Sequence, residues 1–267
     1  MHLNQSISNN NFAFMIYNDL TDIHSVDYDI SSSSLKLSRA VKNDRSFKSS
    51  TFAGFRVYGS CNGIFLISIA HQFIRIGLWN PSTGEYKDLP ESFPKYPKCP
   101  PPIFNVVFWL GYDISRDDYK VIRYPYYQSS NLSGIMSDVC VYSLRTNSCK
   151  MIQDVPYRIF GSVYPKNFCD DGIFLNGAIH WLGKHVSDVA SRLSLRIVSF
   201  DLANDEFKMF QLPDVILDTN SKRLGAFEDC LCIYHVNKDN YIDLFTMKEY
   251  GVKESWTKMF SIIDQPI

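Results

Sequence analysis

Leu78-Trp79-Asn80-Pro81-Ser82-Thr83-Gly84-Glu85-Tyr86 reads as a short apolar run, a polar turn and the start of a second strand. The same phrase returns as Val141-Tyr142-Ser143-Leu144-Arg145-Thr146-Asn147-Ser148-Cys149 and as Val198-Ser199-Phe200-Asp201-Leu202-Ala203-Asn204-Asp205-Glu206-Phe207. A looser copy is Leu244-Phe245-Thr246-Met247-Lys248-Glu249-Tyr250-Gly251. An aromatic holds the same place in each copy, at Trp79, Tyr142, Phe200 and Phe245, and successive copies lie 63, 58 and 45 residues apart. A degenerate hairpin recurring at such spacing is the signature of a β-propeller blade. The expected fold is therefore all-β, and the expected class of function is binding on a scaffold of repeats.

Outward from these phrases, short apolar runs follow one another from Val57 onward, separated by turn chemistry at Asn62-Gly63, Asp170-Asp171-Gly172 and Asn176-Gly177. Asn-Gly and Asp-Gly supply the positive φ that tight hairpins need. Phe12 to Tyr17 and Ile23 to Tyr28 read as strands of an opening half-blade, and Asp29 to Ser50 as a polar surface excursion. Pro90 to Pro102 holds too many prolines for a central strand and reads as a loop across one rim. Lys248 to Lys258 fits neither a helical nor a strand period cleanly. The resulting division is 1–56, N-terminal strands and polar excursion, then 57–267, the propeller domain.

Composition narrows the function. Aromatic residues make up 15% and charged residues 21% of the chain, which suits half-buried strands better than solvated helices. A net charge of −1, spread along the chain, lacks the basic footprint of a nucleic-acid binder. No apolar stretch has the length of a membrane helix, and Met1 to Asn11 lacks the apolar core of a secretory signal. Seven scattered cysteines, an odd number without a C-x-x-C pair, do not read as a disulfide framework. The compartment expected on these grounds is the cytoplasm or nucleus, with no membrane or nucleic-acid partner.

Residues that carry chemistry elsewhere read as structural here. Asp113-Ile114-Ser115-Arg116-Asp117-Asp118 imitates the start of a calcium loop but lacks its glycine and closing glutamate, so it reads as a hairpin tip. His180 and His185 have no further ligand at metal spacing, and His180 reads as a strand histidine packed beside Trp181. No Gly-x-Ser-x-Gly elbow is present. Neither a metal, a cofactor nor a catalytic residue is expected. Tyr124-Pro125-Tyr126-Tyr127 is the leading surface candidate, because tyrosine brings a rigid apolar face with a hydroxyl. The competing reading is a strand end whose rings pack between blades. Tyr157, Phe160, Tyr164 and Phe168 form a second candidate loop.

An ordered series of words runs along nearly the whole chain. It begins with Gly59-Ser60-Cys61-Asn62-Gly63-Ile64, Trp79-Asn80-Pro81-Ser82-Thr83-Gly84, Gly111-Tyr112-Asp113 and Asp118-Tyr119-Lys120-Val121. Val141-Tyr142-Ser143-Leu144, Asn176-Gly177-Ala178-Ile179-His180-Trp181-Leu182 and Ser199-Phe200-Asp201 follow, and Glu249-Tyr250-Gly251-Val252-Lys253-Glu254-Ser255-Trp256-Thr257-Lys258 ends it. This series resembles the F-box-associated domain of plant F-box proteins, a kelch-like β-propeller. The last segment and His2-Leu3-Asn4 are most similar to the S-locus F-box subgroup. Two words depart from the pattern: Trp109 stands where members often carry glycine, and Ser148-Cys149 where they often carry Ser-Trp.

The resemblance implies substrate recognition in an SCF-type ubiquitin ligase. The propeller captures a target protein, and an F-box preceding it holds the S-phase-kinase-associated adaptor and cullin. In S-locus relatives the target is a pistil S-ribonuclease. This sequence contains no F-box and stops soon after Trp256, so the expectation is a propeller without its last blade and without its adaptor contact. The alternative class is a propeller-type glycan binder or glycoside hydrolase.

Overall fold

A computed structural model of the 267-residue chain describes residues 12–17, 23–29, 34–36, 54–70, 74–81, 83–90, 104–127, 137–159, 172–188, 195–216, 222–239 and 241–263. These residues build twenty strands in five antiparallel sheets, joined by turns that include three single-turn 3₁₀ segments. The all-β expectation is met. The chain divides into two compact units, Met1–Pro90 and Glu91–Ile267.

In the first unit, β1 (Phe12–Tyr17), β2 (Ile23–Asp29) and β3 (Ser34–Lys36) form one sheet. The two apolar runs at the N-terminus are thus strands, and the stretch read as a polar excursion contains the short β3. A second sheet is the meander β4 (Gly54–Cys61), β5 (Ile64–Ala70), β6 (Ile74–Asn80) and β7 (Glu85–Asp88). Gly59 sits at a bulge of β4, and Asn62 (φ 51°) with Gly63 (φ 77°) makes the first hairpin turn. Asn80, Pro81 and Gly84 make the next: the Gly84 amide donates to the Asn80 carbonyl at 2.8 Å, and Gly84 has φ 73°. Trp79 packs with Val57, Ile67, Ile69 and Phe65 in the core of this sheet.

The second unit contains three sheets. Sheet I is β8 (Phe104–Asp113), β9 (Asp118–Tyr127), β10 (Ser137–Ser143) and β11 (Ser148–Val155). Sheet II is β12 (Tyr157–Ile159), β13 (Ile173–Leu175), β14 (Ala178–His185), β15 (Arg196–Asp201) and β16 (Glu206–Gln211). Its first position is split, with β13 on the Ala178–His180 part of β14 and β12 on the Gly183–His185 part. Sheet III is β17 (Lys222–Phe227), β18 (Cys230–Val236), β19 (Tyr241–Met247) and β20 (Trp256–Ile263).

Strand alternation sends every second side chain into a core between neighbouring sheets. Trp109, Ile122, Tyr124, Ile179, Trp181 and Phe200 fill the core of sheets I and II. Ile197, Leu212, Leu224, Ile233 and Phe245 fill that of sheets II and III. Full burial of such side chains contributes about 2 kcal/mol each. The repeated aromatic of the sequence phrase lies in the next-to-last strand of its sheet each time, on β6, β10, β15 and β19. That strand has neighbours on both sides, so Trp79, Tyr142, Phe200 and Phe245 are 1%, 0%, 0% and 7% exposed. The last strands β7, β11 and β16 are largely exposed instead.

Candidate functional site

Each sheet of the second unit is an antiparallel meander, so its first and third turns lie at one end and its second connection at the other. The turn end carries residues 114–117, 144–147, 176–177, 202–205, 228–229 and 248–255. The opposite end is where the strands flanking 128–136, 189–194 and 217–221 begin or stop, whereas β12 stops and β13 begins in mid-sheet, opposite Gly183 and His180. Long connections on a rigid scaffold are where binding residues concentrate.

At the turn end, the buried polar side chains hold turns and sheets together. Asp113 and Asp118 are cross-strand partners in the first hairpin of sheet I and are 1% and 3% exposed. Asp113 accepts from the Ser115 amide at 3.0 Å, the Ser115 hydroxyl at 2.6 Å and the Arg116 guanidinium at 2.9 Å. The stretch is thus a hairpin turn, closed by Asp117 at φ 51° and its bond from the Tyr112 hydroxyl. Asp118 accepts from Ser143 Oγ at 2.5 Å and from the Arg145 amide at 2.8 Å, which ties the third turn to the first.

Lys120, 5% exposed, then reaches sheet II. Its ammonium lies 3.3 Å from Asp113 and 2.8 Å from Asp205, and donates to the Leu202 carbonyl. Lys150 adds a 2.9 Å pair to Asp205, and Arg116 donates to the Ala203 carbonyl. Burial pushes the Asp113 carboxyl up, but bonds from Ser115, Arg116 and Lys120 outweigh it and hold it down at about 2. Asp205 is lowered too: burial works against it, and Lys120 and Lys150 win. Carboxylates held so firmly ionised are braces, not proton donors near neutral pH.

Sheets II and III are clasped by other means. His180, fully buried, shares a hydrogen bond with the Ile173 carbonyl at 3.0 Å and another with the Tyr250 hydroxyl. Phe210 stacks on His180 at 6.4 Å and meets the Tyr250 ring edge-on at 5.2 Å. His180 and Trp181 are successive strand residues, so the histidine faces sheet III while the tryptophan enters the other core. The expected His180–Trp181 packing is replaced by the Phe210–Tyr250 clasp. Burial lowers the His180 pKa to about 4 against the opposing bond to Ile173, and burial pushes the Tyr250 hydroxyl up to about 12. The clasp continues along the last strand of sheet II, with Trp256 Nε1 donating to the Gln211 carbonyl at 3.3 Å and Lys253 paired with Asp214 at 2.8 Å.

Of the tyrosines singled out in the sequence, Tyr124, Tyr126, Tyr127 and Tyr157 lie toward the opposite end. Tyr124 is corrected by its surroundings: it is 1% exposed, its ring packs 5.9 Å from Trp109, and its hydroxyl donates to the Tyr157 carbonyl. A residue so enclosed anchors the strand end and is out of a partner's reach. Tyr126 and Tyr127 end β9, paired with Asn105 and Phe104, directly before connection 128–136. Tyr157 is half-buried on β12, its ring 5.9 Å from His185 and 5.8 Å from Phe207. Tyr164 lies outside the described residues, as do Phe160 and Phe168. Among the described residues no group of three or more His, Cys, Asp or Glu side chains is placed to hold a metal ion.

Residues 12–267 match the family described as the F-box associated beta propeller domain. The chain belongs to that family. The F-box protein CPR1 of Arabidopsis thaliana is 31% identical to it over 221 residues, which is 77% of this chain and 52% of the relative. A second Arabidopsis thaliana F-box protein is 32% identical over 228 residues, 80% of this chain and 52% of the relative. The chain thus spans about half the length of the curated relatives it matches. A family 117 glycoside hydrolase of Zobellia galactanivorans covers 96% of this chain and 77% of its own at 13% identity and a TM-score of 0.42, a likeness that carries no functional weight.

Within this F-box-associated propeller domain, the departure at Trp109 has a structural answer. Trp109 packs 4.3 Å from Trp181, and a Cβ at Gly172 would lie 2.9 Å from Trp109 and 2.8 Å from Ile179. Gly172 is therefore what leaves room for the larger ring. Gly111 serves the same approach of sheets, since a Cβ there would lie 2.5 Å from Leu202 Cδ1. Cys149 is half-buried on β11, near the fully buried Cys140 of β10. Sequence reasoning missed Lys120, Asp205 and the His180–Tyr250 clasp. One signal was available: Lys150-Met151 and Lys208-Met209 repeat at the same place in β11 and β16, and their lysines pair with Asp205 at 2.9 Å and Asp201 at 3.0 Å.

Proposed function

We propose that this domain is the target-recognition module of an SCF-type ubiquitin ligase. It holds a protein target at the end opposite the tight turns and performs no bond chemistry of its own. The observation that carries the reading is the division of labour between the ends. Buried charged and titratable side chains at the turn end, Asp113, Asp118, Lys120 and His180, are taken up by turns and by junctions between sheets, while long connections leave from the other. Tyr126, Tyr127 and Tyr157 stand at the start of that surface. In the whole protein an F-box would bring the S-phase-kinase-associated adaptor and cullin, in the cytoplasm or nucleus. The resemblance of Glu249–Lys258 and His2-Leu3-Asn4 to the S-locus subgroup makes a pistil S-ribonuclease the first target to test.

The test is affinity capture from plant extract with the chain carrying an F-box upstream, compared with the chain alone. The proposal expects the same target in both captures, adaptor and cullin only with the fusion, and ubiquitin transfer to the target by the reconstituted complex. Capture abolished by deglycosylating the extract would show a glycan binder instead. Glycoside hydrolysis that disappears on carboxylate substitution would overturn the non-catalytic assignment.

A further inference from the structure

Two arginines of this chain differ in what meets the same edge of the guanidinium. Nε and Nη2 carry parallel N–H donors, spaced to meet the two oxygens of one carboxylate. On β6, Arg75 donates from Nε to Asp88 Oδ1 at 3.1 Å and from Nη2 to Asp88 Oδ2. On β9, Nε and Nη2 of Arg123 have no hydrogen-bond partner among the described residues. Arg123 is moreover 3% exposed, whereas the Arg75 side chain is half exposed.

Ile122 and Tyr124 enter the core of sheets I and II, so alternation turns Arg123 to the other face of sheet I. Its cross-strand neighbours are Phe108 of β8 and Cys140 of β10, and Val121 with its partner Tyr142 continues that face. All four are buried. Burial pushes the Cys140 thiol well above its usual range, so it offers no negative charge to the guanidinium. Burial also lowers the Arg123 pKa, with Cys140 opposing, yet a guanidinium stays protonated. Lys120, also buried, is met by Asp113 and Asp205. No carboxylate acts on Arg123 among the described residues. A buried cation so placed is costly, and an anion removes the cost.

We propose that the Nε/Nη2 edge of Arg123 binds a small monocarboxylate anion, in the bidentate way that Arg75 holds Asp88. The flat two-oxygen group matches the paired donors, and Phe108, Val121 and Cys140 suit a short hydrocarbon tail. A halide offers one centre to two donors, and a doubly charged phosphate would bring an excess charge onto an apolar face. The enclosure of both nitrogens selects a small diffusing anion over an acidic side chain of a folded partner. The site does not rest on the proposed recognition of a target.

The test is nuclear magnetic resonance of the arginine Nε–Hε groups in the 267-residue chain, titrated with sodium acetate. The Arg123 signal is the one missing from Arg123→Met. Acetate should move it saturably, while acetamide, the uncharged counterpart, leaves it in place. Chloride at equal ionic strength should bind about tenfold more weakly or worse, since it forgoes one of two charge-assisted bonds. Melting curves give a second reading: acetate should raise the melting temperature above that in chloride for the unsubstituted chain, and not for Arg123→Met. No saturable shift, a shift that chloride reproduces at the same concentration, or an acetate effect that persists in Arg123→Met would each overturn the site. A shift with an oligo-aspartate peptide and none with acetate would place the carboxylate on a partner protein and overturn it too.

Discussion

Lys120 and His180 stand at matching places, each the third residue of the strand that follows its sheet's first tight turn, yet they join their sheets by opposite chemistry. At the junction of sheets I and II a buried ammonium spans two carboxylates and a carbonyl. At the junction of sheets II and III a neutral imidazole is bonded to a carbonyl and a phenol and stacked on Phe210. The strands repeat and the clasps do not. A blade needs its neighbour's turn fixed against the start of its own second strand, and either an ion network or an aromatic cluster suffices.

The largest way to break this contrast is at Lys120. Lys120→Ala leaves the buried Asp113 and the half-buried Asp205 short of their shared cation, and a loss of about 3 kcal/mol is expected in urea-induced unfolding. A loss under about 1 kcal/mol would mean that the apolar core alone holds the junction.

The junctions should also part company with pH. The folded His180 pKa of about 4 lies below the ordinary 6.5, so between these values the unfolded chain binds the extra proton. Stability therefore falls as pH falls through that window, by on the order of 3 kcal/mol in full. Asp113 acts lower: its stabilisation is present above the ordinary 3.8 and is lost as pH falls toward about 2. Unfolding free energy measured from pH 7 to pH 4 should slope downward, and His180→Gln should flatten that slope. An unchanged slope in the variant would remove His180 from the junction.

Backbone approach gives smaller effects. Gly111→Ala pushes a methyl group toward Leu202 at the ionic junction and should cost about 1 to 3 kcal/mol. Away from both junctions, Glu228 (φ 47°) and Asp229 (φ 57°) hold the left-handed conformations that Asn-Gly fills at 62–63 and 176–177. Glu228→Asn with Asp229→Gly should stabilise by about 1 kcal/mol, seen as a higher melting temperature. An equal gain from glycine at 251, already filled, is not available, so the two kinds of turn separate cleanly.

The contrast also explains what the sequence made legible. Trp79, Tyr142, Phe200 and Phe245 were readable because a strand with neighbours on both sides buries its large ring whatever surrounds it. The last strands were visible only as the tail of the phrase, because β11 and β16 are mostly exposed and show no apolar run. Lys120 and Asp205 are 85 residues apart, and no local period links such a pair. Tyr124 illustrates the reverse. Its neighbours in sequence suggested a surface cluster, whereas strand alternation turns it into the core beside Trp109. The end proposed to bind a target was legible as long connections between strands.

Site-specific photo-crosslinking tests the division of labour between the two ends most directly. A photoreactive residue would be placed at Tyr126 or Tyr127 on one end, and at Ile114, 82% exposed at the tip of a tight turn, on the other. Crosslinks to a captured target from Tyr126 or Tyr127, and none from Ile114, are the expected result. Crosslinks from Ile114 with silence at Tyr126 and Tyr127 would place recognition at the turn end and contradict the assignment.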